Sequence, residues 1–401
     1  MDNRPKKSSS SQARWSVLHL INVFDARYDR DQRRIVDLQR QRGYDVSVIT
    51  SRYDDELKHR NPLFFQQAEA PLTGVKISHN YSCKFSLGNA QPSVFYLPDA
   101  TSLRAYDVTH VHGLTSYSNL LGCLLKRLNQ SKLVTRSDLS QPGYQLLKNS
   151  VAYRSFFFKL LKSMDAIYTY TASEKAVLLD LGIPEDLVWV VPLGIQLERF
   201  FESAAADKSR STITIGFIGR FDRVKGVHRL VKPLGQILRE HENVRVKFAG
   251  PKQDAKYATS ILREMSLFPS FSYVGSLASS ETPWFYQECD IVLVPSLSDT
   301  GGIVALEAMA SGNAIVASNI PPFTEYFRDG VSGLLVDSED EIYSSCKLLI
   351  EDNDLRVRLG RAARKNAGNY SDVAMVEKLE EIYIYVAGRL EPPVTDSETT
   401  R

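Results

Sequence analysis

The residue types best suited to chemistry in this chain surround a pair of glycines, Gly301 and Gly302. Asp299 precedes the pair and Glu307 follows it, and both carboxylates could accept hydrogen bonds from the hydroxyl groups of a sugar. A glycine turn at the start of a helix also leaves backbone N–H groups free at the positive end of the helix dipole. The pattern predicts a site for an anion or a hydroxyl-bearing ligand. The alternative is that Asp299 only caps the helix and that Glu307 is a solvated helix residue.

A strand and a helix are predicted to hold this turn. Residues 291–294 form a continuous apolar run with β-branched side chains, which is typical of a strand buried on both faces in a parallel sheet. Residues 303–311 are rich in Ala, Leu, Met and Glu, which favour a helix, and Gly312 is predicted to end it. The turn therefore falls at the carboxyl edge of a sheet, where open α/β folds bind their ligands.

A second loop of this kind carries two cations. Residues 213–218 predict a strand, and Gly219, Arg220 and Lys225 follow it before the next helix. Taken alone, the two cations could be ordinary surface charges. They would also suit phosphate, because a guanidinium offers a bidentate fork and an ammonium a movable point charge.

The order of residues from Asp299 onward resembles glycosyltransferase family 4. The E-x7-E signature of that family, in the form E-G-[FY]-G-x-x-x-x-E-A-M-A, is matched from Asp299 through the letters LEAMASG. The following segment of the family, P-x-x-E-x-x-x-D-G-x-x-G, is matched by Pro322, Glu325, Asp329, Gly330 and Gly333. The chain departs from the signature in two ways: its first Glu is Asp299 here, and the aromatic residue after the first glycine is missing.

This resemblance implies an α/β protein of the GT-B type, in which two Rossmann-like, doubly wound parallel-sheet domains face each other across a cleft. It also implies a retaining transfer of a sugar from a nucleotide-diphosphate sugar to a hydroxyl acceptor. Arg220 and Lys225 match the family's G-R-x-x-x-x-K-G diphosphate clamp, and with Asp299 and Glu307 they form the implied catalytic set. Glu307 would bind the nucleotide ribose and Asp299 the donor sugar. The other donor-binding residues implied are Gly219, Val274, Gly275, Leu277, Gly301, Gly302 and Ile303.

No metal and no other cofactor is required by this layout. Arg220, Lys225 and the dipole of the helix after Gly301 could supply the positive charge that stabilises the leaving diphosphate. An obvious general base is absent from the pattern. In retaining members of the family the leaving phosphate is thought to take the acceptor proton, which suits this sequence.

The first half of the chain also alternates strands and helices, but the turn after its first strand has no G-x-G-x-x-G fingerprint. The D-V-x-H-x-H-G form at residues 107–113 resembles the family's strand at the cleft, so His112 and Gly113 are expected on the acceptor side. A histidine on a strand is more often a satisfied core residue than a catalyst. Arg136 stands where many relatives have T-x-H, and it could place a cation near the donor phosphate or the acceptor.

The resemblance covers about residues 15–389 and includes a segment typical of the family's hinge near residues 193–200. The expected organisation has five parts. These are a disordered tail at 1–13, an acceptor-side domain at 14–193, a donor-binding domain at 194–371, a helix at 372–390 that crosses back to the first domain, and a disordered tail at 391–401.

Composition restricts the class of protein. The 401 residues are 43% hydrophobic and 24% charged with a net charge of +2, which indicates a soluble globular protein and argues against a basic nucleic-acid binder. No apolar run is long enough to span a membrane, and the N-terminal residues lack the apolar core of a signal peptide. The four cysteines are scattered, with no zinc or disulfide spacing. We therefore expect a cytoplasmic protein with reduced thiols.

One region of the first domain is strongly basic. Between Val108 and Met164 the only acidic residue is Asp138. The same region holds eight basic residues, namely Lys126, Arg127, Lys132, Arg136, Lys148, Arg154, Lys159 and Lys162. Apolar residues beside these cations belong to the core or meet a lipid surface. The hypothesis is a peripheral enzyme on the cytoplasmic face of a membrane, which binds anionic lipid and glycosylates a lipid-linked acceptor in glycolipid, polysaccharide or glycoprotein-glycan assembly.

Two other classes of function remain open from the sequence. A non-catalytic nucleotide-binding subunit of the same fold is one, because Asp299 and Arg136 stand where the family usually has other residues. A dinucleotide-dependent oxidoreductase is the other, since it fits the strand–helix alternation but fails on the glycine fingerprint.

Overall fold

The computed structural model describes most of two α/β domains. The described residues are 15–21, 31–51, 75–80, 82–85, 93–96, 104–114, 118–137, 155, 158–201 and 211–388. The predicted tails at 1–13 and 391–401 lie outside these residues. Among the described residues, no helix combines the length and the apolar composition that a membrane span requires.

The first domain is built on a parallel sheet. Its strands and an adjoining hairpin are β1 Ser16–Ile21, β2 Asp45–Ser51, β3 Lys76–Asn80, β4 Ser82–Phe85, β5 Ser93–Tyr96, β6 Val108–His112, β7 Lys132–Arg136, β8 Ala166–Thr169 and β9 Val188–Val190. Seven of them pair in the order β3-β2-β1-β6-β7-β8-β9, and β4 pairs with β5 alone. The register places His19 beside His110, and His112 beside Arg136.

The second domain has its own parallel sheet. Its strands are β10 Ile213–Ile218, β11 Val244–Ala249, β12 Phe271–Tyr273, β13 Ile291–Val294, β14 Ala314–Ser318 and β15 Leu334–Val336. They pair in the order β12-β11-β10-β13-β14-β15. Every residue of β13 and β14 is buried, as the continuous apolar run predicts for a central strand covered on both faces.

The helices cover both faces of the two sheets. They are α1 Asp31–Gln41, α2 Ser118–Asn129, α3 Ala172–Asp180, α4 Leu197–Phe201, α5 Val231–Glu240, α6 Ala255–Met265, α7 Thr282–Glu288, α8 Ile303–Ala310, α9 Phe323–Tyr326, α10 Glu339–Glu351, α11 Asn353–Ala367 and α12 Asp372–Val386. Side-chain oxygens of Ser338, Asp352 and Ser371 accept a backbone N–H at the start of α10, α11 and α12. These caps explain why the three helices begin where they do.

Two segments of the chain run side by side between the domains. The backbone of Ile195 accepts a hydrogen bond from Asp372 at 3.0 Å and donates one to Tyr370 at 2.9 Å. A Cβ on Gly194 would lie 2.4 Å from the carbonyl oxygen of Ser371, so only glycine allows this close approach. Beyond this crossing, α12 packs on α1 of the first domain, with Asp372 ion-paired to Arg34 at 2.6 Å.

Candidate active site

The glycine turn at the carboxyl end of β13 begins α8 through an unusual N-cap. Gly302 is the N-cap residue and has a φ of 58°, in the left-handed region that favours glycine. Its N–H donates to Oδ1 of Asp299 at 3.0 Å. The helix runs over Ile303–Ala310, and Gly312 beyond it has a φ of 70°. The predicted strand, turn, helix and glycine stop are therefore confirmed.

Asp299 also binds one of the two predicted phosphate-binding cations. Its Oδ2 lies 2.6 Å from Nζ of Lys225, and the side chains of Asp299 and Lys225 are only 12% and 22% exposed. One carboxylate thus closes the glycine turn and fixes the lysine of the neighbouring loop. Asp299 accepts the N–H of the N-cap residue Gly302, and α8 has no side-chain cap, so Asp299 is not the helix cap of the alternative interpretation.

Arg220 lies in the same loop as Lys225, and an acidic residue organises both. Nε of Arg220 is 3.0 Å from Oδ2 of Asp222, and the arginine side chain is 51% exposed. The other oxygen of Asp222 accepts the backbone N–H of Lys225 at 2.9 Å. Sequence reasoning missed Asp222. The signal for it was an Asp within a loop, a residue type whose side chain often bonds the backbone a few residues further on.

The carboxylate of Glu307 accepts a hydrogen bond from a buried tyrosine. The hydroxyl of Tyr286 donates to Oε2 of Glu307 at 2.8 Å, and the glutamate itself is half-buried. Burial first, and then the charge of Glu307, keep the pKa of Tyr286 well above its ordinary value. Glu307 is therefore an oriented carboxylate and not the solvated helix residue of the alternative interpretation.

Other residues predicted to bind the donor form a backbone-lined wall at the carboxyl ends of β10, β11 and β12. The N–H of Gly250 donates to the carbonyl of Gly275 at 2.7 Å. A Cβ on Gly250 would lie 1.9 Å from the carbonyl oxygen of Gly219. Val274 is exposed, and Leu277 is partly buried against the core. The three glycines bring three strand ends together with little side-chain bulk, which leaves backbone groups to meet a ligand.

His112, which is predicted on the acceptor side, is buried and is part of a chain of hydrogen bonds beneath α12. Its Nε2 is 2.9 Å from Nδ1 of His19, and Nε2 of His19 is 2.8 Å from Oε1 of Gln39. The amide nitrogen of Gln39 donates to the hydroxyl of Tyr383, on α12, at 3.1 Å. His112 is thus buried as a core residue is, but only its Nε2 is hydrogen-bonded, and its buried Nδ1 has no partner among the described residues.

This chain of hydrogen bonds continues from Tyr383 to a third histidine, His110. The hydroxyl of Tyr383 lies 2.7 Å from Nδ1 of His110, and Nε2 of His110 lies 3.1 Å from the hydroxyl of Tyr168. Burial lowers the pKa of His19 to about 4 and holds the pKa values of His110 and His112 well below their ordinary value. All three imidazoles are therefore neutral near pH 7, with one N–H each.

Because the rings are neutral, the donor and the acceptor of each bond in this chain of hydrogen bonds can be assigned. Oε1 of Gln39 can only accept, so Nε2 of His19 donates and its Nδ1 accepts from His112. The hydroxyl of Tyr383 accepts from Gln39 and is free to donate to His110. The three rings have nitrogens within 4.8 Å of one another, a grouping that could hold a metal ion. Hydrogen bonds already engage both nitrogens of His19 and of His110, so the structure supports a polar network here.

Arg136, at the end of β7, forms a compact group with Asp31 and Tyr170. Its guanidinium is ion-paired to Asp31, bonds the hydroxyl of Tyr170 at 2.8 Å, and lies over the Tyr170 ring. A Cβ on Gly301 would lie 3.3 Å from that ring. Tyr170, and Arg136 bonded to it, therefore lie next to the glycine turn of the second domain. Gly113 lies at the end of β6 with a φ of 116°, and its carbonyl accepts from Asn119 at 2.7 Å.

This architecture is that of the GT-B glycosyltransferases. The structure is similar to sucrose-phosphate synthase from Thermosynechococcus elongatus, with a TM-score of 0.71 and 18% identity over 94% of this chain and 100% of that one. It is also similar to Anabaena HepE in complex with UDP and glucose, with a TM-score of 0.67 and 16% identity over 92% and 98% of the two chains. At these identities the likeness shows the fold, and it confirms the predicted GT-B arrangement.

Two family models match adjacent parts of the sequence. Residues 33–199 match Glycosyltransferase Family 4, and residues 198–366 match Glycosyl transferases group 1. The chain therefore belongs to the glycosyltransferases of the group 1 and family 4 type, as the sequence predicts.

Among curated proteins, the chain is similar to the D-inositol 3-phosphate glycosyltransferase of Corynebacterium jeikeium (strain K411). The two are 30% identical over 212 residues, which are 48% of this chain and 51% of that protein. The matched stretch thus spans about half the length of the relative.

Proposed function

We propose that this protein is a retaining glycosyltransferase that moves a sugar from a nucleotide-diphosphate sugar to a hydroxyl acceptor. The observation that carries the proposal is the ion pair between Lys225 and Asp299, which joins the cation loop to the glycine turn. It brings an ammonium group and the backbone N–H groups at the start of α8 into one place. A diphosphate attached to a sugar needs such a combination of cations and neutral donors.

The donor would lie along the carboxyl edge of the second sheet. Its diphosphate would contact Arg220 and Lys225, and the ribose would bind Glu307. Lys225 has three N–H donors, so it can bond a phosphate oxygen and still keep Asp299. The base would pass the backbone-lined wall near Val274 and Leu277. Anabaena HepE, which has this fold, was solved in complex with UDP and glucose, and this supports a nucleotide-sugar donor.

In the proposed reaction the bond between the anomeric carbon and the phosphate oxygen breaks as the acceptor oxygen attacks from the same face. The acceptor hydroxyl gives its proton to the leaving phosphate oxygen. Arg220, Lys225 and the N–H groups of α8 stabilise the charge that develops on the diphosphate. Because these groups supply the positive charge, we propose that turnover needs no divalent metal and persists in a chelator.

The acceptor-side wall would receive the hydroxyl compound. Tyr170 and Arg136 line it opposite Gly301. The name of the Corynebacterium relative specifies a phosphorylated polyol. A guanidinium in this wall supports an acceptor that carries an anionic group, and a lipid phosphate or lipid-linked phosphate is our proposal.

A surface of the first domain supports a membrane-bound acceptor. Leu120, Leu124 and Leu128 repeat every four residues on one face of α2 and are 39%, 52% and 64% exposed. Exposed Lys159 and Lys162 lie nearby, because Lys126 of α2 bonds the carbonyl of Ser163 at 2.9 Å. Apolar side chains flanked by cations suit the interface of an anionic bilayer.

Nucleotide binding and product release together test the function. The protein would be mixed with a panel of nucleoside diphosphates in a thermal-shift assay, and then with the matching nucleotide sugars while release of nucleoside diphosphate is followed. We expect a rise in the melting temperature with one or two diphosphates and release that depends on an added acceptor. A preference for NAD would favour an oxidoreductase, and binding without release under any condition would favour a non-catalytic subunit.

Liposome co-sedimentation tests the membrane. Binding should rise with the fraction of anionic lipid, fall with salt, and weaken in Lys159→Glu/Lys162→Glu and in Leu124→Glu/Leu128→Glu. Lys232→Glu, on α5 of the second domain, is the matched control and should bind as the wild type does. Equal binding to neutral and anionic vesicles, or none, would favour a soluble acceptor.

A further inference from the structure

One carboxylate of the second domain caps a helix of the first domain. Glu325, on α9, accepts hydrogen bonds from the backbone N–H groups of Ala172 at 2.8 Å and Ser173 at 2.9 Å. These are the first two residues of α3, the helix that follows β8 and precedes β9 of the first sheet along the sequence. Glu325 is one of the motif residues in the sequence to which neither the donor site nor the acceptor wall gives a role.

The contact completes the first turn of α3. The N–H of Glu174 is bonded by the hydroxyl of Thr171 at 3.1 Å, which is the ordinary side-chain cap. The N–H groups of Ala172 and Ser173 have no partner within the helix at this position, and Glu325 supplies both. A negative charge at a helix N-terminus is also favoured by the helix dipole.

The same short helix touches the donor turn. The hydroxyl of Tyr326, next to Glu325, donates to the carbonyl of Gly301 at 2.8 Å. A Cβ on Gly302 would lie 2.9–3.1 Å from atoms of Pro322, Phe323 and Tyr326. Helix α9 therefore packs against the glycine turn on one side and reaches the first domain on the other.

We propose that Glu325 is a positioning residue that latches the two domains in the closed arrangement and, through Tyr326, sets the backbone of the donor turn at Gly301. The second half of this inference rests on the proposed donor site. Glu325 is exposed to solvent, so the latch is reversible and weakened by salt. The ring of the neighbouring Tyr326 lies 4.9 Å from the ring of Tyr370, whose carbonyl accepts the N–H of Ile195 where the chain passes between the domains. Closing the cleft would thus make the latch as the donor turn takes its binding geometry.

Two substitutions remove the latch from opposite domains. In Glu325→Gln one side-chain oxygen can still accept a hydrogen bond. The other oxygen is replaced by an NH₂ group, which is a donor and cannot bond the backbone N–H that faces it. Ala172→Pro removes one of the two donors and leaves Glu325 intact. Proline is well tolerated at the first helical position, and Thr171 before it has φ −134° and ψ 153°, which a residue preceding proline adopts readily.

The readouts are the radius of gyration from small-angle X-ray scattering, the Kd for nucleoside diphosphate and the KM for donor. We expect both variants to have a larger radius of gyration than the wild type at low salt. We also expect about a tenfold weaker Kd and a higher KM, on the scale of a lost hydrogen bond to a charged group. The double variant should lose no more than the stronger single variant. Unchanged melting temperatures would show that the variants fold.

The matched control is Asp329→Asn, four residues along the same segment. Asp329 accepts the N–H of Leu335 at 2.9 Å within its own domain, so its loss should leave the radius of gyration unchanged. Wild-type scattering in both latch variants overturns the latch, whether or not the protein turns over any nucleotide sugar. A larger radius of gyration with wild-type Kd and KM overturns the link to the donor turn. Absence of turnover in the wild type, with the scattering shift present, contradicts the proposed function alone.

Discussion

The carboxyl edge of the second sheet is lined by backbone, whereas strands β1 and β6 of the first sheet carry buried histidines up to the carboxyl end of β6. Gly219, Gly250 and Gly275 bring three strand ends of the second domain together, and the cations beside them are partly exposed. In the first domain, His112 and His19 are buried and already bonded to other protein groups. The second edge can therefore accept a ligand with little rearrangement.

This difference separates two kinds of consequence. Substitutions at the second edge should lower binding and turnover while the fold survives, because those side chains make few contacts with the core. Substitutions in the histidine chain should lower stability, since each lost partner leaves a buried polar group unpaired. The predictions below test that separation, from the largest expected effect to the smallest.

The largest effect is expected from Lys225→Ala and Arg220→Ala. Each should lower kcat/KM by about 10²-fold or more, the scale for loss of a preorganised donor to developing charge. Lys225→Ala should be the more severe, because it also leaves Asp299 without its cation. Steady-state kinetics with saturating acceptor measures both. Lys232→Ala, a surface lysine of α5, is the control and should retain wild-type kinetics, while wild-type turnover in both site variants would contradict the proposed phosphate site.

The histidine chain should make the first domain sensitive to acid. The pKa of His19 is about 4 in the folded protein and about 6.5 in an unfolded chain. The unfolded state therefore takes up the proton first, so stability is lost as the pH falls from about 6.5 to about 4. His19 alone accounts for about 3 kcal/mol of this loss. His110 and His112 add to it in the same direction, because their pKa values are also lowered by burial.

Denaturant unfolding at pH 7 and at pH 5, followed in the wild type and His19→Gln, measures the effect. The free energy of unfolding should fall less steeply with pH in the variant, which has one fewer titrating group in the chain. Equal slopes in the wild type and His19→Gln would show that the acid sensitivity has another source.

The two edges also differ in how far the sequence could predict them. The donor turn follows from local signals: an apolar run for β13, glycines at positive φ, and a glycine stop after α8. The histidine chain depends on Gln39 and Tyr383, which are 344 residues apart, and no local pattern pairs them. Glu325 could be identified in the sequence as a motif residue. Its partners are backbone N–H groups of another domain, and because every residue except proline has such a group, residue types could not predict them.

A moderate effect is expected from Glu307→Gln. The amide oxygen can still accept from Tyr286, so the fold should be unchanged, but the charge that we propose to hold the ribose hydroxyls is lost. The KM for donor should rise about tenfold while kcat changes little, since the contact is made equally in the ground and transition states. Tyr286→Phe is the comparison variant: it keeps the carboxylate and removes only the hydrogen bond from the tyrosine hydroxyl, and its KM should rise less. An unchanged KM in Glu307→Gln would remove the ribose role.

The smallest effect is expected from Asp299→Glu, and it concerns which sugar is bound. In this structure Asp299 reaches both the N–H of Gly302 and Nζ of Lys225. A glutamate is longer by one methylene, about 1.5 Å, so it cannot keep both contacts at the same lengths and should extend toward the donor sugar. We expect the preference between two nucleotide sugars with the same base to change about fivefold, the scale of one hydrogen bond. The preference between bases should stay the same, because the backbone-lined wall near Gly275 is untouched.

Asp299→Asn keeps the length and the bond to the N–H of Gly302 but loses the charge facing Lys225, so it should slow turnover without changing sugar preference. A change of base preference in Asp299→Glu, with sugar preference intact, would show that this carboxylate acts on the diphosphate through Lys225 and does not meet the sugar.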